Sequence, residues 1–328
     1  MKIAVTGASG HVGANLCREL LQQGHNVKAL VHENVKSLEG LEIQFIKGDI
    51  TEPDSLLALC RDTEIVFHLA AIISVNGNKK ELEKINVVGT QLLLETVFHS
   101  NVRRLIHFSS IHAIDHNPLD QPMDETRPLV RKPLMAYEAT KTAGERLVND
   151  YIKKGLDAVV LNPSAIIGPY DFKPSLVGQV LIRLYNRKLP ALVPGGYDWV
   201  DVRDVSRTAI SAISAGKKGE RYILSGSWMS VRDLAALMED ITGRKMVHTM
   251  IPMVFARIGV PFIKIHSKLT GQHPLYTFQS LDVLMQGSKK IMNHKAKEQL
   301  GFDPRPLRET VADAITWYKE NGMLDQGK

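Results

Sequence analysis

Through the first half of the chain, short apolar runs alternate with amphipathic stretches. Lys2–Val5, Asn26–Val31, Ile43–Ile46, Ile65–Leu69, Arg104–Phe108 and Ala158–Leu161 are largely continuous apolar runs, the pattern of strands buried on both faces. Between them, Gly10–Gln23, Pro53–Arg61, Lys79–His99 and Tyr137–Lys154 carry a helical period. Repeated strand–helix units of this kind predict an α/β fold built on a doubly wound parallel sheet. After Gly168 the rhythm loosens, with Pro169, Pro174, Pro190 and Pro194-Gly195-Gly196 spaced along long connections. Residues 1–168 are therefore expected to form the first unit. Trp199–Asp204 and Arg221–Ser225 still read as strands or strand ends, so 199–225 is expected to return to that unit. Residues 169–198 and 226–328 then form a smaller, interleaved C-terminal region.

Composition narrows the class. At 328 residues, with 44% hydrophobic and 23% charged residues, the chain has material for a substantial core. A formal charge of +6 is spread over isolated pairs such as Lys79-Lys80, Lys153-Lys154, Lys217-Lys218 and Lys289-Lys290, without interleaved aromatics. Such pairs read as solvated helix ends and not as a nucleic-acid surface. Cys17 and Cys60, each in an apolar helical pattern, suggest reduced thiols. Strand-like sequence begins at Lys2, and no signal peptide is read there, so a cytoplasmic location is expected. The longest apolar stretch, Met250 to Ile265, is interrupted by Pro252, Arg257, Pro261 and Lys264 and is too short to span a bilayer.

Two motifs carry chemistry. Gly7, Gly10 and Gly13 follow the first strand and open the first helix, in the run Thr6-Gly7-Ala8-Ser9-Gly10-His11-Val12-Gly13. Glycines there permit close backbone approach, and the helix N-terminus favours an anion. The expectation is a Rossmann-like phosphate cradle for a dinucleotide, formed by Gly7, Ser9, Gly10, His11, Val12 and Gly13. At the end of the second strand, Val31 is followed by His32, with Lys36 nearby. Cations at that position favour the ribose 2′-phosphate of NADP(H), whereas Glu33 points towards NAD(H), which stays open.

The second motif is Tyr137 and Lys141, which share one helix face at a spacing of i, i+4. A free phenol has a pKa near ~10, and an adjacent ammonium lowers it, making the group useful as an acid or base. Ser110 lies at the C-terminal end of a strand, where ligands collect in open α/β sheets.

These segments, with Gly48-Asp49-Ile50, His68-Leu69-Ala70-Ala71, Asn86–Thr90, Phe108-Ser109-Ser110, Asn162–Pro169 and Trp199–Val205, resemble the extended short-chain dehydrogenase/reductase family in order and spacing. Within it the chain is most similar to the dihydroflavonol-reductase-like and bacterial aldehyde/ketone reductase branch. The resemblance implies that Asp49 and Ile50 line the adenine pocket, that Leu69, Ala70 and Ala71 run along the cofactor, and that Pro163 and Ile166 approach the nicotinamide. It implies Ser110, in preference to Ser109, as the serine that bonds the carbonyl oxygen. Tyr137 is then the proton donor, and Lys141 holds the nicotinamide ribose. Sugar dehydratases of the family carry an Asp-Glu pair where this chain has Ile111 and His112.

The implied activity is NADPH-dependent reduction of an aldehyde or ketone, reversible as an alcohol dehydrogenase. A nucleotide-sugar epimerase and a non-catalytic cofactor sensor are the alternatives. The substrate pocket is expected after Gly168, including Tyr170, Phe172 and apolar residues between Met246 and Phe278. Members of the family occur as monomers and as dimers joined through helices equivalent to Lys79–His99 and Tyr137–Lys154, so a homodimer is one expectation.

Overall fold

Strand β1 (Lys2–Thr6) is an interior strand of a seven-stranded sheet with β2 (Asn26–Val31), β3 (Ile43–Lys47), β4 (Ile65–His68), β5 (Arg104–Phe108), β6 (Ala158–Pro163) and β9 (Arg221–Leu224). In this computed structural model, residues 1–32, 35–74, 78–270, 278, 281, 282, 284 and 287–325 are described, without the side chains of 262–270. The order is β3-β2-β1-β4-β5-β6-β9, and every pairing is parallel. Order reverses between β1 and β4, which leaves a crevice at their C-terminal ends, where Thr6 and His68 stand in register. The apolar runs explain the burial: every residue of β4 and β6 is buried.

Helices cover both faces. On one, α1 (His11–Gln22) and α7 (Val202–Ser211) pack Leu16, Leu20, Val205 and Ala209 against Val5, Phe67 and Ile106. On the other, α2 (Pro53–Cys60), α4 (Thr90–Phe98) and α5 (Ala136–Lys153) bring Leu59, Leu93 and Val148 onto Val66 and Leu105. Ahead of α4 the predicted helix 79–99 is broken into a short α3 (Lys79–Glu83) and a π-helical turn at Lys84–Gly89. That wider turn contains the buried Asn86.

A second core forms around α6 (Leu176–Tyr185), α8 (Val231–Thr242), α9 (Met253–Thr270) and α11 (Leu307–Glu320), whereas α10 (His294–Leu300) packs Ala296 and Leu300 on the large sheet. It includes a three-stranded sheet in the order β10-β8-β7, from β7 (Ala165–Ile167), β8 (Gly196–Asp201) and β10 (Ser227–Ser230).

The expectation that 199–225 returns to the main sheet needs correcting in part. β8 stays in the small sheet, while α7 and β9 go back to the large one. The cause is local. A side chain at Gly226 would put its Cβ 2.0 Å from the Trp199 carbonyl, so glycine lets the chain approach β8, and Trp199 Nε1 donates to Met229 O at 3.0 Å. None of the described helices is long and apolar enough to cross a membrane.

Candidate active site

The glycine loop presses against the end of β4. Gly7 has φ +71°, and a Cβ there would lie 2.7 Å from Ala70 N. A Cβ on Gly13 would lie 2.2 Å from Gly7 O, so α1 starts directly on the loop. Its N-cap Gly10 offers no side chain, and its first turn holds no acidic residue. The helix N-terminus thus presents backbone N–H groups and a positive dipole end to the crevice. Ser37 Oγ donates to Ser9 O at 2.9 Å and holds the loop from below, a residue that nothing in the sequence pattern marked. His11 Nε2 bonds Pro169 O at 3.1 Å, and Asn15 Nδ2 donates to the same carbonyl, tying the cradle to the second region.

Past the end of β2, His32 is exposed, as is Lys36 at the start of the turn 36–38, and Glu33 lies outside the described residues. Thr51 donates its N–H and its hydroxyl to Asp49 Oδ1 at 2.8 and 2.6 Å. Burial works against the Asp49 charge, but these bonds, with Lys84 and His32 nearby, hold its carboxyl below the usual range. Ile50 is buried against Gly89. Leu69 and Ala70 are fastened to β1: Leu69 N donates to Thr6 O, and Ala70 N to Thr6 Oγ1 at 3.2 Å. Ala71 follows on the same partly buried path. Pro163 closes β6 opposite Leu224, and Ile166 of β7 pairs with Val200 of β8.

Ser110, Tyr137 and Lys141 meet at the ends of β5 and α5. The phenol is pushed up to about 12 by burial, and a side-chain hydrogen bond with Ser110 opposes this. Ser110 Oγ also accepts from His112 N at 3.2 Å. Ser109 is used elsewhere, donating to Glu145 Oε2 at 2.5 Å, so of the two serines it is Ser110 that pairs with Tyr137.

Lys141 departs from the expected pairing. Its Nζ donates to Phe108 O at 2.6 Å and is not among the groups that shift the phenol. The ammonium is bonded instead to a carbonyl at the end of β5. Burial pushes this ammonium down to about 8, opposed by Glu145.

Beneath these groups, His68 bridges Thr6 Oγ1 (2.8 Å) and Thr90 Oγ1 (2.9 Å), and burial holds it down at about 3, uncharged. Asn86 Oδ1 accepts from Ile72 N at 2.7 Å, while its Nδ2 donates to Ile72 O and Thr140 Oγ1. The π-helical turn therefore clamps the segment after Ala71 onto α5.

The surroundings of Tyr137 differ from expectation. Tyr170 and Phe172 are packed against Trp317 at 6.1 and 5.1 Å between centroids, with Arg18 over Tyr170 at 4.4 Å. Their rings are used in the seam between α1 and α11. The ring edge-on to Tyr137 belongs instead to His112, at 6.1 Å, with His116 beyond it at 5.8 Å. Burial and the neighbouring His116 push His112 down to about 4, so it is a neutral polar neighbour. The 111–131 segment, bridged to 287–292 at Met123 and Ile291, makes this wall. Of the apolar stretch expected there, Met246, Ala256 and Val260 are core, and Phe278 is exposed. Among the described residues, no cluster of His, Cys, Asp or Glu could hold a metal ion.

The sequence model of the NAD dependent epimerase/dehydratase family matches residues 3–225, well over half of the chain. The chain belongs to this family. Its relatives include sterol demethylase protein B of Methylococcus capsulatus, 33% identical over 99% of this chain and 100% of that one. A putative dihydroflavonol 4-reductase of Synechocystis is 32% identical over 98% of this chain and 95% of its own length. Among solved structures, gox2253 superposes with a TM-score of 0.86 at 30% identity, covering 98% and 99% of the two chains. Membership makes this an oxidoreductase that uses a nicotinamide cofactor. The residues present fit that group. Glycines at 7 and 13 let the loop, the end of β4 and the start of α1 approach so closely that any Cβ would collide with backbone, and the buried Lys141 ammonium gives one of its three donor hydrogens to Phe108 O.

Proposed function

We propose that this oxidoreductase reduces a ketone or aldehyde to its alcohol, reversibly, on a bulky and largely apolar substrate, with NADP(H) as the preferred cofactor. The observation that carries the reading is the Ser110–Tyr137 hydroxyl pair at the strand end, with the Lys141 ammonium fixed at Phe108 O beside it. When bound, the nicotinamide supplies or accepts the hydride. The chain's own groups handle the oxygen and its proton. A phenol held up at about 12 is fully protonated at neutral pH, so the resting form of Tyr137 is a donor, which suits reduction. Ser110 takes an N–H from His112 on its lone pair, leaving its own hydrogen to donate to Tyr137 or to a substrate oxygen. His112, neutral at about 4, supplies a polar wall and no charge.

Ile111 and His112, standing where sugar dehydratases carry Asp-Glu, support redox chemistry over water elimination. The sterol in one relative's name and the flavonoid in the other's support a bulky ring system as substrate. So do Ile73 and Leu134, exposed at 61% and 70% on the segments that follow β4 and precede α5. The deciding experiment is turnover of polycyclic and long-chain ketones, and of nucleotide sugars, with each cofactor. Reduction of the former supports the reading, and epimerization of the latter without net redox overturns it.

Cofactor choice makes a separate prediction from His32 and Lys36. NADPH is expected to bind at least tenfold more tightly than NADH, and His32→Glu to erase the difference. Fluorescence titration checks both, and tighter NADH binding in the unaltered protein would reverse the assignment.

Lys141 predicts a pH dependence. Burial lowers its pKa to about 8, so the ammonium present at pH 7 is lost as pH rises through that value. A ribose hydroxyl held by the charged form then loses its partner. Cofactor affinity is expected to be flat below pH 8 and to fall by up to about tenfold per unit above it, as one-proton linkage requires. Lys141→Met should bind weakly at every pH, with that slope removed.

A further inference from the structure

Glu145 lies two turns beyond Tyr137 and one beyond Lys141 on the same face of α5, and its side chain is fully buried. Its Oε2 accepts from Ser109 Oγ at 2.5 Å and from Asn162 Nδ2 at 2.8 Å. Its Oε1 faces Arg221 Nε at 3.3 Å. Asn162 Nδ2 donates as well to the carbonyl of Ser110 at 3.0 Å. One carboxylate therefore joins the ends of β5, β6 and β9 to α5, directly under the serine that pairs with Tyr137. Phe108, whose carbonyl holds Lys141, is the residue next to Ser109 in the same knot.

We propose that Glu145 is a positioning residue: its buried carboxylate pins the strand ends that aim Ser110 and stands as the counter-charge one turn from Lys141 on the same face of α5. A carboxylate buried for fold alone is a poor choice, since an apolar replacement of similar volume is often neutral or stabilising. Here its hydrogen bonds run to residues adjoining the reacting groups. The charged and titratable groups around it are few. Arg221 faces it from β9, and Lys141 shares its helix. Lys141 in turn faces His68 from β4 and His107 from β5, both held neutral by burial. With those imidazoles uncharged, Glu145 is the group that favours the Lys141 ammonium. The inference rests on the assignment of Ser110, Tyr137 and Lys141 above.

The test is Glu145→Gln, which keeps the shape and removes the charge. The Lys141 proton should then leave at lower pH, moving the alkaline fall in cofactor affinity about one unit towards acid. With an active substrate in hand, kcat should drop about tenfold to a hundredfold, as expected when reacting groups are displaced. A purely structural role would lower thermal stability and leave the pH midpoint in place. An unmoved midpoint in folded Glu145→Gln therefore overturns the proposal, whatever happens to kcat. If Glu145→Gln does not fold, Ser109→Ala takes its place, since it keeps the Arg221 pair and frees one strand end. A severalfold loss of kcat at constant cofactor KM supports the proposal, and an unchanged kcat overturns it. Absence of carbonyl turnover in the unaltered enzyme would sink the functional reading separately. The cofactor titration needs no substrate, and it still judges Glu145.

Discussion

Replacing Tyr137 with phenylalanine is expected to lower kcat for carbonyl reduction by about a hundredfold to ten-thousandfold, the usual range for a general acid. Cofactor affinity should stay within about twofold. The substitution removes one oxygen and leaves the ring, so the edge-on contact with His112 at 6.1 Å survives. It also leaves Lys141 on the Phe108 carbonyl, because that bond does not pass through the phenol. The loss should fall on kcat and kcat/KM together, as for an interaction made only in the transition state. Stability should hold or rise slightly: the phenol is desolvated, and its pairing with Ser110 is the one side-chain hydrogen bond that perturbs it. Steady-state rates, fluorescence titration of cofactor and a thermal melt make the comparison. Retained activity would remove Tyr137 from the chemistry, and lost cofactor binding would make it a structural element of the cradle.

What was readable beforehand follows from how local each signal is. The parallel sheet announced itself because β4 and β6 are apolar on both faces, a pattern that needs no partner to interpret. The glycine loop was equally local, since its three glycines and the start of the helix they open lie within seven residues. The position of β8 was not readable. An apolar strand fits either sheet, and the choice depends on Gly226 approaching Trp199 from 27 residues away.

The acceptor of the Lys141 ammonium was unreadable for a related reason. Helical spacing says that two side chains share a face, but it does not say where a four-carbon stem ends. The Phe108 carbonyl competes for that ammonium from another element. Tyr170 and Phe172 were misplaced because an aromatic run after a strand looks the same whether it faces a pocket or a Trp317 on the last helix. Ser37 stands in no motif, and the motif that contains Asn162 does not tell what its amide bonds. Their roles exist only once Ser9 and Glu145 are brought to them.

Gly13→Ala tests the cradle itself. A methyl carbon there would stand 2.2 Å from Gly7 O, 2.6 Å from Ala8 Cα and 2.7 Å from Ala8 O, all backbone atoms that no rotamer change can move. Helix α1 must shift away from the loop, and Leu16, Cys17 and Leu20 must shift with it inside the core they share with Val5 and Phe67. Overpacking of this kind costs about 3 kcal/mol. For a chain of this size that is roughly a 4–5 °C drop in Tm. The backbone N–H groups at the start of α1 move with the helix, so an anion bridging loop and helix loses its alignment on both sides. Cofactor affinity is therefore expected to fall by at least a hundredfold, well beyond what the stability loss alone implies for a protein still folded at 25 °C. Gly24→Ala is the control. It has φ +75° but nothing within 4 Å of an added Cβ, so it should cost about 1 kcal/mol of backbone strain and leave cofactor binding alone. Equal cofactor affinity in the two variants would mean that closeness at Gly13 serves packing only, and the diphosphate would have to be held elsewhere.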